Sequence, residues 1–284
     1  MQPPNPSHEA LLSDATLLPG RRRDFELAWQ DLLETARHWP LIVSLSWQDV
    51  RQRYRRSTLG PLWLTVSMAV QIGALGLVYG ELFHVNLAMY LPHLAVGMTV
   101  WSKIATIFTD GCLCFIMAES YLKQAPLPKA IFPARVVLRS LITFAHDVVI
   151  VLIVLLIYEP PSSGSVLVAL LGLAVLAVNG IWVGLLLGLL CTRFRDLPPI
   201  VASVLQVAFF LTPVIWLPST LSGSWSLLLQ LNPFASFLSL VRDPLLGQAP
   251  GLSAWLVCLA VTAAGWTIAF LMFARFRARI TYWL

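Results

Sequence analysis

The sequence predicts an all-α membrane protein with six transmembrane helices. Two observations predict it: the length of its apolar stretches, and the alternation of basic charge between them. Residues of the AVILMFWYC set make up 58% of the 284-residue chain and charged residues 12%, against roughly 25% charged in soluble domains. A hydrocarbon core of ~30 Å needs ~20 mostly apolar residues per helix. Residues 61–80, 166–190, 199–217 and 252–274 supply such stretches without a charge. Residues 91–118 and 140–158 supply two more with polar interruptions, Lys103 and Asp110 in one, His146 and Asp147 in the other. The expected spans are about 61–83, 91–118, 137–158, 166–191, 199–217 and 252–274.

Basic residues crowd the segment before the first span (Arg21, Arg22, Arg23, Arg37, Arg51, Arg53, Arg55, Arg56). They recur after the second (Lys123, Lys129, Arg135, Arg139), the fourth (Arg193, Arg195) and the sixth (Arg275, Arg277, Arg279). Residues 84–90 and 159–165 have none, and residues 218–251 have only Arg242. Lys and Arg near membrane ends stay cytoplasmic, so both termini are expected inside. The net charge of +5 is thus a topology signal and no sign of a nucleic-acid partner. The first twenty residues lack the apolar run of a cleavable signal peptide. Cys112, Cys114, Cys191 and Cys258 fall in or at the edge of spans, with no metal or disulfide spacing, and read as packing residues.

Along the chain, residues 1–24 read as a disordered cytoplasmic tail and 25–59 as an interfacial amphipathic helix. Its apolar stripe is Phe25, Trp29, Leu32 and Ala36, then, past Pro40, Val43, Trp47, Val50 and Tyr54. Residues 60–284 form the spanning domain. Gly180, Gly184 and Gly188 make a small-residue ridge suited to close helix packing, within the chain or between two copies. The connection 119–136 holds Pro126, Pro128 and Pro133 among apolar and basic residues, the mixture of a short cytoplasmic helix docked on another protein. Residues 218–251 hold two apolar runs, 225–231 and 234–241, divided by Asn232-Pro233. Each is half the length of a span, which points to two short re-entrant or interfacial helices at an exit gate, with Trp225, Asn232, Pro233 and Phe234 as its candidates. Inside the membrane, Lys103, Asp110 and Asp147 form either a polar strip facing a channel or structural ion pairs.

These segments resemble a known family. Arg53-Tyr54-Arg55-Arg56-Ser57-Thr58-Leu59-Gly60-Pro61-Leu62-Trp63 resembles the entry to its first span. Leu122-Lys123, Leu127-Pro128-Lys129 and Ile131-Phe132-Pro133 resemble its cytoplasmic loop. Arg195-Asp196-Leu197 leading to Phe209-Phe210-Leu211-Thr212-Pro213-Val214 is similar to its fifth-span signature, and Leu231-Asn232-Pro233-Phe234 with Arg242-Asp243 to the loop before its last span. In order from about residue 40, they resemble the ABC-2 type transport permeases of the branch exporting O-antigen, capsule and teichoic-acid chains. The resemblance implies a homodimer in a bacterial inner membrane, two copies of a separate ABC ATPase subunit, and a polysaccharide carried on undecaprenyl diphosphate. It makes residues 119–136 the coupling loop, with Tyr121, Leu122, Lys123, Leu127 and Lys129 against the ATPase, and 218–251 the periplasmic gate region. ATP and Mg would sit on the partner; this chain binds no cofactor.

The chemistry of such a substrate selects further residues. A hydroxyl-rich glycan needs a hydrated path, and aromatic faces hold sugar rings weakly. Candidates are Tyr79, Phe83 and Tyr90 near the outer end and Trp101, Phe108 and Phe115 along the second span. A lipid diphosphate needs cations at its entrance; Arg51, Arg53, Arg55 and Arg56 are placed there, although anchoring on anionic lipid explains the same residues. No G-x-x-x-x-G-K-[ST] occurs, so any ATP-driven motor is another polypeptide. Alternatives are a related permease exporting a drug or another lipid, a purely structural subunit, and a membrane-embedded transferase for lipid-linked sugar. The last lacks the paired carboxylates its chemistry requires.

Overall fold

The computed structural model describes residues 20–55, 62–82, 84–158, 163–218 and 229–284, and every regular element among them is helical. α1 (Gly20–Arg37) and α2 (Trp39–Arg53) are separated at His38. Pro40 lacks an N–H and is accommodated only in the first turn of the second helix. Because α1 starts at Gly20, residues 20–24 belong to a helix and not to the expected tail. The buried faces also differ from the expected stripes. Ala28, Asp31 and Thr35 of α1 and Ile42, Leu45, Ser46 and Val50 of α2 pack inward, while Trp29 and Trp47 are more than half exposed. Short side chains in α1 and aliphatic ones in α2 make the contact with protein, and the large rings stay on the exposed face.

The bundle continues with α3 (Leu62–Leu82), α4 (Leu87–Leu113), α5 (Glu119–Gln124), α6 (Ile131–Tyr158), α7 (Ser163–Arg193), α8 (Leu197–Leu211), α9 (Pro233–Leu245) and α10 (Leu252–Phe276). A 3-10 turn (Arg277–Arg279) and α11 (Ile280–Trp283) close the chain. By length and composition, four helical segments among the described residues are apolar enough to cross a membrane: α3, α6, α7 from Gly164, and Leu252–Trp283. α4 is long enough at 27 residues, but it is the central helix. It packs against α3, α6, α7, α8 and α9, and Pro92 to Trp101 are buried without a break. Surrounded by protein, it tolerates the polar residues that lower its hydropathy.

Three helix ends move from their expected places. α4 ends at Leu113 and not at residue 118, so Phe115 does not continue the face of Trp101 and Phe108. α6 begins at Ile131; Pro133 falls in its first turn, where a missing N–H costs nothing. α8 stops at Leu211 because Thr212, the residue before Pro213, is driven to extended backbone (φ −100°, ψ 138°).

Two cores hold the helices. The larger surrounds Leu94, Ile104, Leu155, Leu238 and Leu240. The second, around Phe115, Phe132, Leu189, Phe273 and Ile280, lies at the end carrying α1, α2, α5 and the C-terminus, called here the basic end. The α7 glycine ridge faces inward. A Cβ at Gly180 would meet Val137 at 2.8 Å, at Gly184 Pro133 at 3.0 Å, and at Gly188 Phe115 at 3.1 Å. Of the two uses the spacing left open, packing within the chain is the one observed.

Candidate functional site

At the basic end α2, α4 and α6 meet in a charge network. The Asp49 carboxylate accepts from Arg135 through Nη2 and, at 2.7 Å, through Nε. It also accepts from Arg139 Nη1 at 3.0 Å. Arg139 Nη2 donates to Asp110 at 2.7 Å, and Arg53 Nη2 lies 3.9 Å from the same carboxylate. The forked guanidinium of Arg135 fixes α2 on α6 by geometry as well as charge. These residues, with Gln52, Met117 and Tyr121, line a cavity of about 360 Å³. The Arg135 guanidinium also lies 5.7 Å from the centre of the Tyr121 ring, within cation–π range.

Lys103 and Asp110 do not form one strip. Lys103 Nζ meets Asp147 Oδ2 at 2.5 Å, with side chains 8% and 3% exposed, and Thr143 Oγ1 lies 3.5 Å away. Asp110 belongs to Arg139 and Arg53. Asp110 and Asp147 are therefore both in ion pairs. Arg51 on α2 and Arg55 just past its end lie outside this network and line a shallow groove. Arg56 lies outside the described residues.

A second junction was not visible in the sequence. Asp31 is 1% exposed and receives three donors: the Ala130 N–H at 2.9 Å, the Lys129 N–H at 3.0 Å and Arg277 Nε at 2.7 Å. Lys129 Nζ donates to the Arg277 carbonyl at 2.5 Å. Burial, reinforced by the nearby Arg277 charge and opposed by Asp31, pushes the Lys129 ammonium down to about 8. The loop before α6, the N-terminal helix and the C-terminal turn are thus joined at one carboxylate. Of the other loop residues, Leu122 is buried and Tyr121 half-exposed. Leu127 packs on the second core. Lys123 pairs with Glu119 at 2.6 Å.

At the opposite end, motifs far apart in the chain become one unit. Asn232 caps α9, its Oδ1 accepting from the N–H groups of Phe234 (3.0 Å) and Ala235 (3.4 Å). Pro233 occupies the first helical position, where its fixed φ fits. The Asn232 amide donates back to Leu211 O (3.3 Å) and Thr212 Oγ1 (3.2 Å). Arg242, 5% exposed, donates to Pro213 O at 2.6 Å, and Tyr90 Oη donates to Ile215 O at 2.7 Å. The carbonyls released where α8 unwinds are thereby satisfied by side chains of α4 and α9.

Beneath this cap the Phe234 ring lies 5.6 Å from both Trp101 and Phe108, and Trp101 lies 5.6 Å from Phe209. Phe115 is fully buried in the second core, away from them. Tyr79 packs partly buried against the larger core. Phe83 and Trp225 lie outside the described residues. Asp31 and Asp49 are site residues that sequence reasoning did not select, and Arg242 entered it only as part of a motif. The one readable signal was the helical spacing of Asp31 with Ala28 and Thr35.

The architecture defines a multi-pass membrane protein whose polar chemistry ties its helices together. A model of the ABC-2 type transporter family matches residues 40–246, and the chain belongs to that family. It is 29% identical over 206 residues to an O-antigen export system permease protein RfbA of Myxococcus xanthus, covering 70% of this chain and 77% of the relative. A protein of the same name from Klebsiella pneumoniae is 23% identical over 207 residues, covering 72% and 79%.

Proposed function

We propose that this chain is the transmembrane subunit of an ATP-driven exporter that moves undecaprenyl-diphosphate-linked polysaccharide of the O-antigen type from cytoplasm to periplasm. The observation that carries the reading is the likeness, over 70% or more of the chain, to permeases named for O-antigen export. In this reading α3, α4, α6, α7, α8 and α10 are the six spans, in a bacterial inner membrane. The basic end, with both termini, faces the cytoplasm. Two copies build the path, and two ABC ATPase subunits dock at α5 and the following loop through Tyr121, Leu122, Lys123, Leu127 and Lys129. ATP and Mg belong to that partner.

Arg51, Arg53, Arg55 and Arg56 form the entrance for the lipid diphosphate. α9 is the second of two re-entrant helices, and Asn232, Pro233, Phe234 and Trp225 belong to the periplasmic gate. Tyr79, Phe83, Tyr90, Trp101 and Phe108 serve a glycan path once α9 moves, because ring faces hold sugars without stripping their hydroxyls of water. Reconstitution of the chain with a candidate ATPase in proteoliposomes tests this. Lipid-linked O-antigen should stimulate ATP hydrolysis and appear in the opposite leaflet. Hydrolysis or sugar transfer by the chain alone would overturn it.

A further inference from the structure

The outer face of α2 is composed differently from the rest of the basic end. Ser44, Trp47, Gln48, Arg51, Gln52 and Arg55 line a groove of about 410 Å³, and their spacing of three and four residues places them on one helix face. The opposite face is committed to protein: Ile42, Leu45 and Val50 are buried. Ser46 Oγ donates to Arg135 O at 3.2 Å, and Asp49 holds Arg135 and Arg139. The arginine run is therefore divided. All three described arginines are exposed; Arg53 Nη2 lies 3.9 Å from Asp110, while Arg51 and Arg55 form no ion pair among the described residues. Trp47 lies one turn before Arg51 and is 52% exposed, so its ring borders the same groove.

We infer that this groove recognises a glycosyl diphosphate, the junction where a sugar joins an isoprenyl diphosphate, and not an anionic headgroup alone. The inference rests on the proposed export function and deepens it. Arg51 in the last turn of α2 and Arg55 just past its end line the same groove and match two adjacent phosphates, each guanidinium presenting a fork of donors. The next turn offers the Trp47 ring, whose face suits the C–H face of a pyranose. The Gln48 and Gln52 amides, each donor and acceptor, suit its hydroxyls. Arginines alone would satisfy a phospholipid; the ring and the two amides add the groups that a sugar engages.

The test uses the full chain in nanodiscs of zwitterionic lipid. Two probes are titrated, a short isoprenyl diphosphate and the same compound carrying one hexosamine. The wild type should bind the sugar-bearing probe about tenfold more tightly, a difference of one decade in Kd. Trp47→Leu and the pair Gln48→Leu with Gln52→Leu should erase that preference and leave the bare diphosphate affinity unchanged, while Trp47→Tyr keeps it. Arg51→Gln with Arg55→Gln should weaken both probes. Equal binding of the two probes by the wild type, or a preference that survives Trp47→Leu, overturns the sugar subsite while the diphosphate entrance stands. Wild type that binds neither probe instead defeats the lipid-diphosphate reading itself. Loss of both signals to added phosphatidylglycerol would reduce the groove to a generic anionic-lipid face and overturn the inference.

Discussion

The carboxylate of Asp31 and the guanidinium of Arg277 meet at 2.7 Å across 246 residues of chain. With Lys129 and Ala130 donating to the same carboxylate, the loop assigned to ATPase contact is braced by both ends of the chain.

Asp31→Ala should therefore loosen more than one contact. It strands a partly buried guanidinium and two backbone donors, a loss of about 3 kcal/mol by analogy with broken buried pairs. Thermal unfolding in detergent should shift downward, and trypsin should cut after Arg37 at lower enzyme concentration. Unchanged protease resistance would mean the tie is dispensable.

Lys129 gives the same junction a pH dependence. Its folded ammonium is pushed down to about 8, against ~10.4 in an unfolded chain. Between those values the unfolded state binds more protons, so stability rises with pH from about 8 towards ~10.4. Below 8 both states are protonated and the full penalty remains. Reductive ¹³C-methylation followed by NMR titration should reveal a lysine resonance with a midpoint near 8 that Lys129→Arg removes.

The Lys103–Asp147 pair should behave as a buried couple. Asp147→Leu alone leaves an unpaired ammonium and should cost about 3–5 kcal/mol, whereas Lys103→Met with Asp147→Leu should fall within about 1 kcal/mol of the wild type. A double-mutant cycle on unfolding midpoints measures the coupling. Additive losses would show that the two charges do not depend on each other.

Phe234 closes the aromatic cluster beneath the α9 cap. Phe234→Ala removes two ring contacts and should destabilise by about 2 kcal/mol, a discounted Phe→Ala value for a half-buried ring. In proteoliposomes without ATPase it should also raise leakage of small sugars. Phe234→Leu should restore much of the stability but not the ring contacts with Trp101 and Phe108.

The sequence made the helical class readable because apolar length and charge alternation are local quantities. The α2 break was equally local, since Pro40 announces it. Pairings were not. Nothing near Asp49 signals Arg135 or Arg139, 86 and 90 positions away, and Lys103 shares a helix face with Asp110 yet pairs with Asp147 on another helix. The aromatics of α1 and α2 misled for a related reason. Periodicity finds an apolar stripe but does not say what covers it, and the protein side went to Ala28, Asp31 and Thr35 in α1 and to Ile42, Leu45, Ser46 and Val50 in α2, not to the tryptophans. Conversely, the Thr212-Pro213 and Asn232-Pro233 motifs, read separately, prove to be halves of one cap.

The early end of α8 bears on the bilayer itself. Fifteen residues reach only about 22 Å, short of the ~30 Å hydrocarbon slab. With α8 counted as a span, hydrophobic mismatch draws lipid headgroups inward beside it and thins the membrane locally. A polar cargo passing there would face a shorter greasy barrier than beside a full-length helix such as α6.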